Sequence, residues 1–317
     1  PERQKAQLLQ KAREVWNAKI IEILHFVEQQ PDQDITSAIL RATVYKDSGQ
    51  LDESSVVLDS FIQAKRGSEE FAGIVIEAAN FFLAAERSTQ AITLLESARD
   101  SQSDALEIDS ALGTMHFTQG LYHEAAEILD QVVQKTGNNV LQSRLIEALA
   151  MSGQFEKAEQ ALVAYKTTNT GYAKAMLRAL ISRVKAEQLL AQGDIGDAKG
   201  ALVGYRNALQ AAISEDPANQ IPYIQLCRSL LNEYRLTQNK ALLEEALLVA
   251  DKGSELNKKS EQFEIVRSDV LQADGQLQKA ITRMARFLAS NPGASNVRQR
   301  LVEAFLDTNK IDKCKLT

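Results

Sequence analysis

Apolar and small side chains return along this chain at two periods. Within stretches of about fifteen residues they stand three or four apart, the spacing that puts them on one face of an α-helix. Between stretches the whole pattern starts again, as in QGLYHEAAEILDQVV at 119–133 and SGQFEKAEQALVAY at 152–165. Each copy runs glycine, one residue, an aromatic, two residues, alanine. Aligned on that turn, the fifth position after the turn residue is Ser54, Ala91, Ala125, Ala158, Ala198, Ala246, Ala280 and Cys314, all small. Four residues further stand Leu58, Leu95, Leu129, Leu162, Leu202, Ala250 and Met284.

Helix packing explains the pattern. Two antiparallel helices joined by a short turn approach closely only where one of them presents a side chain no larger than alanine at the crossing. The glycine of the turn, as at Gly49, Gly120, Gly153, Gly193 and Gly275, can take the positive φ that ends the first helix. One hairpin cannot bury its own apolar face, so the sequence predicts the same hairpin stacked repeatedly. The unit at 79–98 departs, with Glu86 and Ser88 at its turn.

The spacing is uneven. Along a row of equivalent first-helix positions, Thr43, Asn80, Thr114, Glu147, Glu187, Arg228 and Asp269, the step is 33 to 37 residues early and then 40, 41 and 41. An excess of seven residues is two helical turns, which lengthens a helix without rotating its apolar face. The segment from about 194 to 250 is therefore expected to hold a lengthened hairpin, preceded by a polar loop at KTTNTG, residues 166–171. Gly196, Gly200 and Gly204 lie four apart on its first long helix, and each costs about 1 kcal/mol against alanine in a helix interior. They suggest a small-residue face for close approach of a neighbour, with self-association through it as one outcome.

The residues resemble the tetratricopeptide repeat, most closely in LGTMHFTQGLYHEAAEILDQVV, with Leu112, Gly113, His116, Tyr122, Ala125 and Leu129 in place, and in ADGQLQKAITRMARFLASNP, with Gly275, Ala280, Phe287 and Pro292. The resemblance covers about residues 35–317 and implies an all-α fold, a right-handed α-α superhelix (solenoid) of about eight hairpins. Residues 1–34, ending in the helix stop EQQPDQ, read as a capping helix or half-repeat that includes Trp16. The chain is expected to stop inside its last repeat, as a piece of something longer.

Composition narrows the function. A net charge of −6 and a sequence pI near 5.4 speak against a phosphate-binding surface, so nucleic acid is not an expected partner. Residues 51–138 carry 15 acidic against 5 basic side chains, and 251–317 carry 9 against 12. The longest apolar window, AGIVIEAANFFLAA at 72–85, is short and contains Glu77 and Asn80, so no membrane-spanning segment is expected. Cys227 and Cys314 stand far apart in no metal or redox spacing; their use fits the cytosol and permits the periplasm. His25, His116 and His123 have no supporting ligands, and no phosphate-binding, zinc-protease or nucleophile motif is present. No cofactor or metal is expected, and no catalysis.

In such a stack the first helix of each hairpin lines a concave groove. The polar row above is the expected protein-binding surface, together with Arg144 and Arg183. The row four residues earlier reads Ile39, Ile76, Ser110, Ser143, Arg183, Ile224 and Ile265, apolar at its ends and polar in its middle. The expected role is a non-catalytic scaffold gripping a partner peptide or helix in the groove. The alternative is a regulatory sensor whose array binds a small signal or peptide and controls an attached domain.

Overall fold

A computed structural model describes residues 34–101, 106–166 and 170–307, together with Val15, Trp16, Lys19, Glu22, Ile23 and Phe26. The capping segment assigned to residues 1–34 and the last turn position, Cys314, lie almost wholly outside the described residues. The described helices are α1 (Ile35–Asp47), α2 (Leu51–Ala64), α3 (Phe71–Ala84), α4 (Ser88–Ser101), α5 (Leu106–Thr118), α6 (Tyr122–Thr136), α7 (Asn139–Met151), α8 (Phe155–Ala164), α9 (Thr170–Ala191), α10 (Ile195–Glu215), α11 (Gln220–Thr237), α12 (Ala241–Leu256), α13 (Glu261–Ala273), α14 (Leu277–Ser290) and α15 (Ser295–Asp307). No strand occurs among the described residues. The fold is all-α, an array of helical hairpins, and it divides into two compact units, residues 1–144 and 145–317.

In the first unit α1 packs on α2, α3 on α4 and α5 on α6. The first helices of successive hairpins also touch, α1 on α3 and α3 on α5, which is what stacking requires. The core runs through Leu58, Val75, Phe82, Leu95, Ile108 and Leu112. In the second unit α9 pairs with α10, α11 with α12 and α13 with α14, while α11 touches α13 and α13 touches α15.

The small positions are where the pattern put them. Ala91, Ala125, Ala158, Ala198 and Ala246 are completely buried, and Ser54 and Ala280 are nearly so. The following row, Leu58 to Met284, is buried throughout. Gly113 shows how little room a crossing leaves: a Cβ there would meet the Leu129 side chain at 2.9 Å.

The turn glycines Gly49, Gly120, Gly153, Gly193 and Gly275 all have φ between 75° and 84°. Glu86, which replaces glycine in the register, is exposed and adopts the same left-handed backbone with φ 61°, where L side chains are disfavoured; the Glu86 and Arg87 N–H groups close α3 by donating to the Leu83 and Phe82 carbonyls at 3.0 and 2.8 Å. The α11–α12 turn departs further. Its left-handed residue is Gln238, φ 56°, which closes α11 by donating its backbone N–H to the Tyr234 carbonyl at 2.7 Å. Ala246 therefore lies eight rather than five positions past the turn residue.

The lengthening begins one helix earlier than the spacing suggests. α9 has 22 residues and α10 has 21, followed by 18 in α11 and 16 in α12. Gly171 belongs to the first turn of α9 rather than to the loop, at the point where α9 passes the end of α10. A Cβ on Gly171 would meet the carboxylate of Glu215 at 2.7 Å, an exposed and flexible side chain that would have to move aside.

Candidate functional site

The predicted groove residues take different environments. In the first unit Thr43 is half-buried and its hydroxyl donates to the Ile39 carbonyl at 2.7 Å, Asn80 is exposed on α3, and Thr114 is half-buried on α5. Arg144 lies with its guanidinium 5.5 Å from the centroid of the Phe117 ring, a cation–π contact. Phe117 in turn meets Tyr122 edge to face. In the second unit Glu147 is half-buried on α7. Asp269 accepts from the Arg300 guanidinium, with Nε at 2.8 Å and Nη2 at 2.6 Å, and Arg300 also reaches Gln272 and Glu303. That network ties α13 to α15. Of the row four residues earlier, Ile224 is buried core, and Ile39, Ile76 and Ile265 pack against core clusters; those positions support the stack.

Three predicted residues come together. Arg183, Glu187 and Arg228 line one cleft of about 660 Å³ with Arg235, Asn232 and Gln225. Its geometry follows from a gap. Unlike the first helices of the hairpins that touch directly, α9 and α11 make no comparable contact among the described residues. The opening between them is floored by Leu202 and Tyr205 of α10, both buried, and carries Leu190 and Leu236 on its walls. Ser229, also buried, lines the same wall.

The electrostatics of the cleft are positive within an acidic chain. Three guanidiniums face one carboxylate. Arg183 Nη1 is 2.8 and 3.0 Å from the two Glu187 oxygens, one helical turn away. Arg235 donates weakly to the Asn232 side-chain oxygen at 3.3 Å. Arg228 is exposed and makes no hydrogen bond or ion pair among the described residues. Burial pushes the Tyr205 phenol above its ordinary pKa, with Glu187 adding to the rise and Arg183 and Arg228 opposing it. The phenol therefore stays neutral and able to donate at neutral pH. Arg235 was missed by the sequence reading, yet it stands seven positions from Arg228, two turns along one face of α11.

The glycine stripe belongs to a different opening. Gly196, Gly200 and Gly204 line a cleft of about 770 Å³ beside Phe155, Glu159 and Lys185. A Cβ on Gly200 would meet nothing within 4 Å, and one on Gly204 would meet the Ser182 hydroxyl at 3.3 Å. Among the described residues the stripe has a close neighbour only at Gly204, and Gly200 faces open space. Gly200→Ala is therefore expected to raise stability by about 1 kcal/mol through helix propensity alone, measured by chemical denaturation; a loss would show that the face packs against something.

No metal or nucleophile chemistry converges elsewhere in what is described. His116 is buried, and burial holds its imidazole below the ordinary value, so it is neutral at pH 7. Cys227 is completely buried, its thiol donates to the Ala246 carbonyl at 3.4 Å, and burial pushes its pKa up to about 12. Among the described residues no group of three or more His, Cys, Asp or Glu is placed to hold a metal ion, and no helix is long and apolar enough to cross a membrane.

Residues 76–140 match the family model of the tetratricopeptide repeat. Among solved structures the chain is similar to a tetratricopeptide repeat protein from Parabacteroides merdae, with 12% identity, 86% of this chain and 98% of that one covered, and a TM-score of 0.51. It is also similar to the C-terminal part of a repeat-containing protein from Cytophaga hutchinsonii, with 14% identity, 79% and 94% covered, and a TM-score of 0.49. No curated protein matches the chain in sequence.

Proposed function

Because residues 76–140 are tetratricopeptide-repeat sequence and the helical-hairpin fold is that of tetratricopeptide-repeat proteins, we propose that this chain is a protein-interaction scaffold that holds a peptide segment of a partner in the cleft between α9 and α11. The fold alone does not choose a ligand. The observation that carries the reading is the convergence of Arg183, Glu187 and Arg228 on one opening whose floor is apolar. A few polar groups around buried apolar surface is the usual make-up of a recognition site. The remaining polar positions, Thr43, Asn80, Thr114, Glu147, Asp269 and Arg144, contribute to a groove surface more weakly, since several are engaged within the chain. Catalysis has no part in this role.

The test uses a displayed random-peptide library panned against the full chain, with a photo-crosslinking residue placed at Gln225, which is half-buried in the cleft. Selected peptides are expected to crosslink from Gln225 and to lose binding when Leu202→Trp fills the floor. Peptides that bind but crosslink only from positions outside the cleft would move the site elsewhere. Recovery of no peptide would remove the scaffold role.

A further inference from the structure

Resting on that reading, we propose that the α9–α11 cleft recognises an acidic, extended partner segment, with two carboxylates three residues apart flanking an aliphatic side chain. The argument is one of charge and spacing. The cleft concentrates Arg183, Arg228 and Arg235 against the single carboxylate of Glu187, in a chain whose net charge is −6. Glu187 occupies one face of Arg183. Arg228 has no partner and Arg235 has only an amide oxygen, so two guanidiniums present donors outward. A guanidinium is matched by a carboxylate through paired hydrogen bonds.

Arg228 and Arg235 stand two turns apart on α11, about 10 Å along the axis. An extended segment of the polyproline II type advances about 3.1 Å per residue with three residues per turn, so side chains three apart lie on one face about 9 Å from each other, close to that distance. Between two carboxylates set at that interval, an intervening side chain that faces the floor would meet Leu202 and the ring of Tyr205, with Leu190 and Leu236 alongside. The neutral phenol of Tyr205 can donate to the same segment. A basic segment would set cations against three guanidiniums, and like charges across an interface disfavour binding.

Fluorescence anisotropy with the full chain tests this, using three labelled peptides identical except that two positions three residues apart, with a leucine between them, are Glu, Gln or Lys. The Glu peptide is expected to bind at least about tenfold more tightly than the Gln peptide at about 50 mM salt, and to lose most of that advantage at about 500 mM, because exposed charges are screened. Arg228→Glu with Arg235→Glu should abolish Glu-peptide binding and gain the Lys peptide. That reversal cannot come from misfolding, and circular dichroism melts of the two chains should coincide. Equal binding of Glu and Gln peptides, or Glu-peptide binding that survives the double reversal, overturns the acidic specificity. If the displayed library yields cleft-binding peptides without acidic residues, the scaffold role stands and this inference falls; if it yields none, both fall.

Discussion

Gly253→Val is expected to cost the second unit about 3 kcal/mol, near the upper end for an overpacked core position, and to lower its thermal midpoint by about 10 °C for a unit of this size. Gly253 is a buried position on α12, and a Cβ there would meet Cε1 and Cζ of Phe263 at 2.4 Å and the Cβ of Tyr223 at 2.9 Å. Phe263 itself is 1% exposed in the core of α11, α12 and α13, so its ring has no solvent side to swing toward. Tyr223 is also fixed, by its hydroxyl donating to the Pro217 carbonyl at 3.2 Å. Helix propensity pulls the other way, since glycine in a helix interior costs about 1 kcal/mol, but a branched side chain gains little of that back. The check is a pair of melts followed by circular dichroism. Gly253→Val should fall sharply, and Gly253→Ala combined with Phe263→Leu should recover most of the loss, because the shortened side chain opens the contact. If both variants melt like the parent, the close approach of α12 to α13 is wrong.

Arg283→Met is expected to cost about 2 kcal/mol at neutral pH and to lose much of that penalty in acid. Glu264 on α13 is 5% exposed and Arg283 Nε on α14 lies 2.9 Å from its Oε1. Burial raises the Glu264 carboxyl above its ordinary value even with the arginine lowering it. Removing the guanidinium leaves a buried carboxylate without its counter-charge, which is costly; the figure is held below that of a fully enclosed pair because Arg283 is partly exposed. The sign of the pH effect follows from the raised folded-state pKa. The folded chain holds the Glu264 proton to higher pH than the unfolded chain, so the contribution is fully present below the ordinary glutamate range and is lost as pH rises through the folded value. Urea denaturation across about pH 4 to pH 8 should show the variant close to the parent at the acid end and separating above it. Glu264→Gln in the Arg283→Met background should remove the pH dependence.

The helical-hairpin order was legible because the physical demand at a crossing is severe and leaves a mark at single positions. Ala125, Ala158 and Ala280 could be read as wedged between helices from one repeated spacing, and the burial of all three follows. Positive φ at Gly120 and Gly153 was legible for the same reason. The chain's exceptions were not. Glu86 and Gln238 hold left-handed backbone without glycine, closed by backbone hydrogen bonds at the helix ends that leave no residue-type mark in the sequence. Gly253 was invisible because its small size answers a ring from α13 and carries no repeat signature. The cleft was half visible. Register placed Arg183, Glu187 and Arg228 on one face, but its existence depends on α9 and α11 standing apart, and nothing in a one-dimensional pattern records the distance between two helices. Asp269 shares the register yet is held by Arg300, a partner from a neighbouring hairpin that spacing cannot reveal.

The separation of α9 from α11 also bears on mechanics. In a stacked array each hairpin is held by its nearest neighbours, so resistance to pulling or local opening is set interface by interface. Where α11 meets α13 and α13 meets α15, two helices of each pair share the load; among the described residues the α9–α10 hairpin meets the next one chiefly through α10 on α11. A peptide seated in the opening would add a second path between those two hairpins and act as a splint.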